Sequence, residues 1–238
     1  MFAQNKISHL QEPQRLSFVW RKQNTSRYVV GELVRQSDDN VTLRYFPDTE
    51  VFKAATDEGM QLLPAFGEPG LEYSSGVMEL FMSRITSRKR SDFDLYLSTL
   101  GIEPSQKDEI SDFTLLGYGE GRLPSDGFHV VNNYSETTPP VEFVAEVSSL
   151  NFCDYVDRME DVEINQTVRL ETEQDNDADP NAVAIYLNNL KLGYLNRVQA
   201  PAVGKWINQG LVVKGNIFRK NGLPSAPRVF VFLEVSAS

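Results

Sequence analysis

The stretch Arg169-Leu170-Glu171-Thr172-Glu173-Gln174-Asp175-Asn176-Asp177-Ala178-Asp179-Pro180-Asn181-Ala182-Val183-Ala184-Ile185-Tyr186 decides the reading of this chain. On either side of its Asp/Asn run, Val168 to Glu173 and Ala182 to Leu187 alternate with the two-residue period of a strand. Asp and Asn between strands suit side-chain-to-backbone hydrogen bonds and tight turning. Asn176, Asp179 and Asn181 therefore have two readings: they brace the loop, or they offer polar groups to a ligand at a barrel rim. Asp175, Asp177 and Asp179 alternate as calcium ligands do, but the glycine and the distal bidentate glutamate of an EF-hand loop are absent.

Outward from the loop the alternation continues. Val141 to Ser148, Leu192 to Leu195, Val212 to Arg219 and Val229 to Val235 read as strands, and Ala200 to Gln209 as a short helix with Val203, Trp206 and Ile207 on one face. Six short strands with a helix predict a small closed or nearly closed barrel. Arg219-Lys220-Asn221-Gly222 reads as a basic hairpin turn, with Arg228 opening the next strand. With Arg197, these residues form either a set of phosphate contacts or a solvated tip.

The loop pattern Asn176, Asp179, Asn181, Ala182, followed by Leu192-Gly193-Tyr194-Leu195 and the small-residue helix of Ala200, Ala202 and Gly204, resembles the HIRAN family over about residues 141 to 236. The resemblance implies an OB-like barrel that grips a 3′ end of single-stranded DNA. It implies further that Asp179 faces a terminal hydroxyl and that Tyr194 lies at the rim. The family's loop aromatic is replaced here by Ala178, and its Arg-Tyr pair aligns with Leu150-Asn151. Stacking of bases, a main source of single-strand affinity, would then rest on Phe152, Tyr155 or Tyr194. HIRAN domains resemble parts of DNA-repair and phage-defence systems, which implies a bacterial or phage setting of that kind.

Before the barrel, Leu16 to Trp20 and Arg27 to Leu33 read as strands joined by a turn at Gln23 to Ser26, and Val41 to Phe46 as a third. Val51 to Ala55 and Gly59 to Leu63 fit helix or strand. Ser75 to Ile85 has helical spacing at Val77, Leu80, Phe81 and Ile85, and Phe93 to Leu100 is a second helix stopped by Gly101. Asp112 to Leu116 and Gly127 to Val131 read as short strands. Gly117 to Arg122 is glycine-rich but matches neither phosphate-loop spacing, so it reads as a mobile loop. Arg84, Arg88, Lys89 and Arg90 form the densest basic cluster, either a helix cap or an anion contact. Val30-Gly31-Glu32-Leu33, Leu43-Arg44-Tyr45 ahead of Pro47, and Leu62-Leu63-Pro64 resemble the N-terminal subdomain of HipA-type kinases. That resemblance implies a docking adaptor for a protein partner, since no nucleotide loop, catalytic aspartate or metal ligand set follows.

Composition sets the outer limits. The 238 residues suffice for two domains, 41% hydrophobic and 24% charged, as in a globular protein. No apolar run reaches the roughly 18 residues of a membrane span, and Met1 to Gln14 lacks a signal-peptide core, so a cytoplasmic location is expected. One cysteine, Cys153, and two histidines, His9 and His129, leave no zinc cluster and few bases. The formal charge is −10, with 14 basic and 20 acidic residues before Pro139 and 9 and 13 after it. A broadly phosphate-binding surface is thereby excluded, and any nucleic-acid site is a small groove.

The expected architecture is α+β. An N-terminal adaptor-like domain spans 1–131, a polar linker 132–140, and a HIRAN-like β-barrel of OB-like or SH3-like form 141–238. The expected function is non-catalytic recognition of single-stranded DNA or DNA ends through Phe152, Asn176, Asp179, Asn181, Tyr194, Arg197, Arg219, Lys220 and Arg228. No cofactor, metal or membrane is involved. The competing expectation is a protein-docking module that has lost its DNA surface.

Overall fold

The computed structural model describes residues 2–22, 27–37, 40–123, 125–150, 153–155, 157–223 and 226–237. The elements in chain order begin with strands β1 (Arg15–Arg21), β2 (Arg27–Ser37) and β3 (Asn40–Tyr45), helix α1 (Glu50–Asp57) and the short β4 (Glu72–Tyr73). Helices α2 (Val77–Met82), α3 (Phe93–Thr99) and α4 (Asp112–Gly119) precede β5 (Phe128–Val131) and β6 (Val141–Glu146). Then come β7 (Thr167–Thr172), β8 (Val183–Leu187), β9 (Leu190–Tyr194), α5 (Ala200–Asn208), β10 (Val212–Leu223) and β11 (Ala226–Ser236). The fold is mixed α and β, and sheet predominates.

The chain forms two compact units, and neither is continuous in sequence. One holds residues 12–93 and 108–133, the other 1–11, 94–107 and 134–238. The segment 1–131 thus contributes to both.

The 12–93/108–133 unit is an antiparallel sheet in the order β4-β3-β2-β1-β5. Its core gathers Leu16, Phe18, Val30, Leu43, Tyr45, Phe52, Phe81, Phe113 and Phe128. Phe18 stacks on Phe128 at 4.8 Å and meets Phe81 edge-on. The ambiguous 51–55 stretch is helical because Thr49 caps it, its Oγ1 accepting from Phe52 N at 3.1 Å. Residues 112–116, expected as a strand, begin α4. Ser111 caps this helix, and five successive residues from Phe113 are buried, which hides the helical period that one-sided burial would display. The expected mobile loop at Gly117 to Arg122 is likewise ordered. Gly117 lies in α4, where a Cβ would stand 2.9 Å from a Leu16 methyl, and Val130 N donates to Glu120 O. The basic cluster is not free either: the Arg84 side chain is buried against Asp126 and the Phe128 carbonyl, and Arg88 and Arg90 pair with Asp112 and Asp92. The turn expected at Gln23 to Ser26 lies outside the described residues.

The other unit carries a six-stranded antiparallel sheet in the order β6-β11-β10-β7-β8-β9. It curls until its ends nearly meet: Ser148, just past β6, exchanges two hydrogen bonds with Tyr194 of β9, at 2.7 and 3.0 Å. Gly193 permits this approach, because a Cβ there would stand 2.4 Å from the Ser148 carbonyl oxygen. Val229, Val231, Leu233 and Val235 of β11 bury one face of the curl. Helix α5 packs on β7 and β8 through Gly204, whose Cβ position lies 3.5 Å from Thr172. Residues 2–7 run beside β10, with Ala3 N donating to Phe218 O and Ile7 N to Gly101 O. The backbone N–H groups of Ser8 and His9 both donate to Glu142. Residues 132–140, expected as a polar linker, contain a buried anchor: Tyr134 stacks on Phe143 at 4.3 Å.

Candidate nucleic-acid interface

Strands β7, β8 and β9 turn one set of alternating side chains outward. Arg169, Tyr186 and Lys191 lie in one cross-strand row. The β8–β9 hairpin that sets this register turns through Asn188 and Asn189, both with positive φ. Arg169 lies over the Tyr186 ring at 4.7 Å, and Lys191 lies over Tyr194 at 4.9 Å. Both tyrosines are partly exposed.

Glu173 is the hub of this face. Its Oε1 accepts from Lys191 Nζ at 2.6 Å and from the Tyr186 hydroxyl at 3.2 Å. Its Oε2 accepts from Tyr194 at 2.9 Å and from Asn176 Nδ2 at 3.1 Å. Partial burial alone would raise the Glu173 pKa, but the hydrogen bonds from Lys191, Asn176 and Tyr194 outweigh it and bring it down to about 2. Lys191 is raised by its bonds to Glu173 and to the Tyr194 hydroxyl, while Tyr186 is raised by desolvation and then by its bond to Glu173.

The network continues into the loop. Asn176 Oδ1 accepts from the N–H groups of Ala178 and Asp179, at 3.0 and 3.1 Å. Asp179 Oδ1 accepts from Asn181 N at 2.9 Å, and its Oδ2 accepts from Arg197 Nε at 3.0 Å. Arg197 Nη2 also donates to Ala178 O at 3.0 Å. Asn176, Asp179, Tyr194 and Arg197 therefore form one connected constellation, as a shared site requires. Asn181 sits beside it, exposed, and its backbone N–H is what the loop uses.

The remaining expected contacts lie elsewhere, and residues 219–222, expected as a turn, continue strand β10, paired with 227–230 of β11. Lys220 donates to the carbonyls of Met159 and Val162 at 3.0 and 2.8 Å, so it supports residues 159–162. Arg228 pairs with the nearly buried Glu146 at 2.7 Å, and Arg219 lies 3.9 Å over the Phe230 ring. Tyr155, a candidate for stacking, is buried and donates to Leu187 O at 2.8 Å. Phe152 lies outside the described residues. Sequence reasoning missed Arg169, Glu173, Tyr186 and Lys191. A signal was present for Arg169 and Glu173, at an outward position of the alternating β7 and just past its end; β8 and β9 show no such alternation around Tyr186 and Lys191.

Gly193 and the Asp/Asn loop between β7 and β8 both lie within the stretch that matches a family model. Residues 143–234 match the HIRAN domain. Among solved structures, the chain is similar to the HIRAN domain of human HLTF, at 20% identity over 40% of this chain and 74% of that one, with a TM-score of 0.34. A protein from Lactobacillus plantarum matches at 22% identity over 38% of this chain and 91% of that one, also with a TM-score of 0.34. The comparison with curated proteins gives no match. Within the HIRAN segment the loop and the Gly193-Tyr194 strand have separate tasks: Gly193 lets the curl close, and Tyr194 ties the loop to the outward face.

Proposed function

We propose that the HIRAN segment is a non-catalytic reader of single-stranded nucleic acid, DNA strands and DNA ends included. The observation that carries this reading is the outward face on which Tyr186 and Tyr194 lie beside Arg169 and Lys191. Aromatic faces take up successive bases, at about 1–3 kcal/mol per base. The charges of Arg169, Glu171, Glu173 and Lys191 cancel, so affinity rests on stacking and hydrogen bonds, and salt weakens it only gradually. The 12–93/108–133 unit would act as the adaptor that docks a protein partner, in keeping with its HipA-like motifs. The whole would work in the cytoplasm without cofactor or metal. The test is fluorescence anisotropy on labelled single-stranded, blunt and 3′-blocked DNA at about 50 and 200 mM salt. Single strands should bind best, with a shallow salt slope, and Tyr186→Ala should weaken them about tenfold. The purified protein should neither hydrolyse ATP nor nick DNA.

A second reading, protein docking by the barrel, is favoured by one observation: Lys220 and Arg228 are already engaged within the chain. Absence of DNA binding at about 50 mM salt, where electrostatic attraction is strong, would put docking in first place.

A further inference from the structure

We propose that His129 makes β5 an acid-released edge of the 12–93/108–133 sheet: a proton taken up on its ring detaches the strand from β1 and leaves the β1 edge open to another strand. His129 lies on the face of β5 opposite Phe128 and Val130, which join the aromatic core. It is nonetheless fully buried, and neither ring nitrogen has a hydrogen-bond partner among the described residues. A buried polar ring left in that state is costly, and a charged one far more so.

The register gathers cations round the ring. Val19 of β1 faces His129 across the ladder and Val29 of β2 on its other side, and two residues further along Arg21 faces Arg27. Arg122 comes in from the segment between α4 and β5, its Nη2 paired with Glu120 at 2.8 Å. Burial first, then Arg122, Arg27 and Arg21, push the ring's pKa well below the usual imidazole range. The Gly127 carbonyl pulls the other way but makes no hydrogen bond to either ring nitrogen. The strand that carries this ring is the last of its sheet and meets one neighbouring strand, β1, over four residue pairs. Val130 N donates to Glu120 O on its far side, and the stack of Phe128 on Phe18 holds it at neutral pH. Its departure leaves β1 paired with β2 from Arg15 to Arg21. The closed strand keeps the ring neutral and the released strand does not, so the released state binds one proton more as pH falls below about 6.5, the ordinary imidazole value. Closure is therefore complete above that pH, and each further unit of acidity raises the opening constant about tenfold.

Backbone amide exchange tests this, followed by NMR on the full-length chain between about pH 7.5 and 5 and corrected for its intrinsic pH dependence. The opening constant at residues 128–131 should rise about 30-fold between about pH 6.5 and 5, while amides bonded between β2 and β3 keep their protection. His129→Leu places an apolar side chain in the buried position, so it should keep β5 closed and lose the pH step. His129→Gln carries no charge at any pH and should lose the step as well. Arg122→Gln removes the largest charge acting on the ring, so its rise should be several-fold smaller than that of wild type. A full-sized step in both His129 variants, or in Arg122→Gln, overturns the proposal, because the proton would then go elsewhere or the cations would play no part. Constant protection at 128–131 down to pH 5 overturns it, because the closed strand would tolerate the charge. Equal loss across β2 and β3 overturns it too, because the histidine would then limit the whole unit and release no edge.

Discussion

The loop at 174–182 and the outer part of the β10–β11 hairpin, residues 219–223 and 226–228, belong to the same curled sheet, and both carry polar or basic side chains. In the loop those groups form a connected network beside two partly exposed tyrosines, closed by an exposed ion pair between Asp179 and Arg197. In the hairpin the cations are drawn inward: Lys220 onto two carbonyls, Arg228 onto Glu146, Arg219 onto the Phe230 ring. The difference teaches that a cation counted in the sequence is available to a ligand only if its release leaves no buried group uncompensated.

The largest expected effect comes from breaking the frame that the two regions share. Gly193→Val would drive a Cβ into the Ser148 carbonyl and the Val147 side chain, and should cost about 3 kcal/mol or more in urea denaturation. Full wild-type stability in that variant would mean that the Ser148–Tyr194 bridge does not hold the curl together. Next, Lys220→Met should destabilise by about 1–3 kcal/mol, because the Met159 and Val162 carbonyls lose their donor. Its affinity for single-stranded DNA should not change. A drop in affinity with a shallower salt slope would return the hairpin to the binding surface.

A pH titration sharpens the loop side of the comparison. The Glu173 pKa is lowered in the folded state, so its contribution is complete above about 4.5, declines as pH falls and is gone below about 2. Amide exchange at 174–181, corrected for its intrinsic pH dependence, should lose protection over that range. Glu173→Gln should remove the pH step while leaving residues 219–228 unaffected. The smallest effect is expected for Arg169→Ala, which removes an exposed cation from the Tyr186 face and should cost about 0.5 kcal/mol. A thermal melt that shifts no further than this would agree.

The curled six-stranded sheet was more legible than the sheet before it. Strands β6 to β11 and α5 overlap the stretches that alternation and helical spacing pick out, but β10 runs on through the expected turn at 219–222 to Leu223. Helix α4 was misread because Phe113 to Gly117 are all buried, leaving no polar face to reveal the period. The anchor at Tyr134 was missed because one aromatic in a polar, proline-ended run says nothing of the Phe143 ring that receives it. At the candidate site, Asn176, Asp179, Tyr194 and Arg197 were legible as residues to watch. Their partner Glu173 was not, since its four donors come from three different segments of the chain.

By itself the sequence determined which residues form the strands, where the Asp/Asn loop sits, and that the chain carries too much negative charge to hold phosphates broadly. Those properties follow from local period, turn chemistry and composition, all of which can be read along the chain. Only the tertiary structure decided which polar groups meet. Curling the sheet and docking α5 bring Arg197 to Asp179 across 18 residues and Arg228 to Glu146 across 82. Hydrogen bonds and ion pairs act over a few ångströms, so a side chain's availability depends on neighbours supplied by distant parts of the chain.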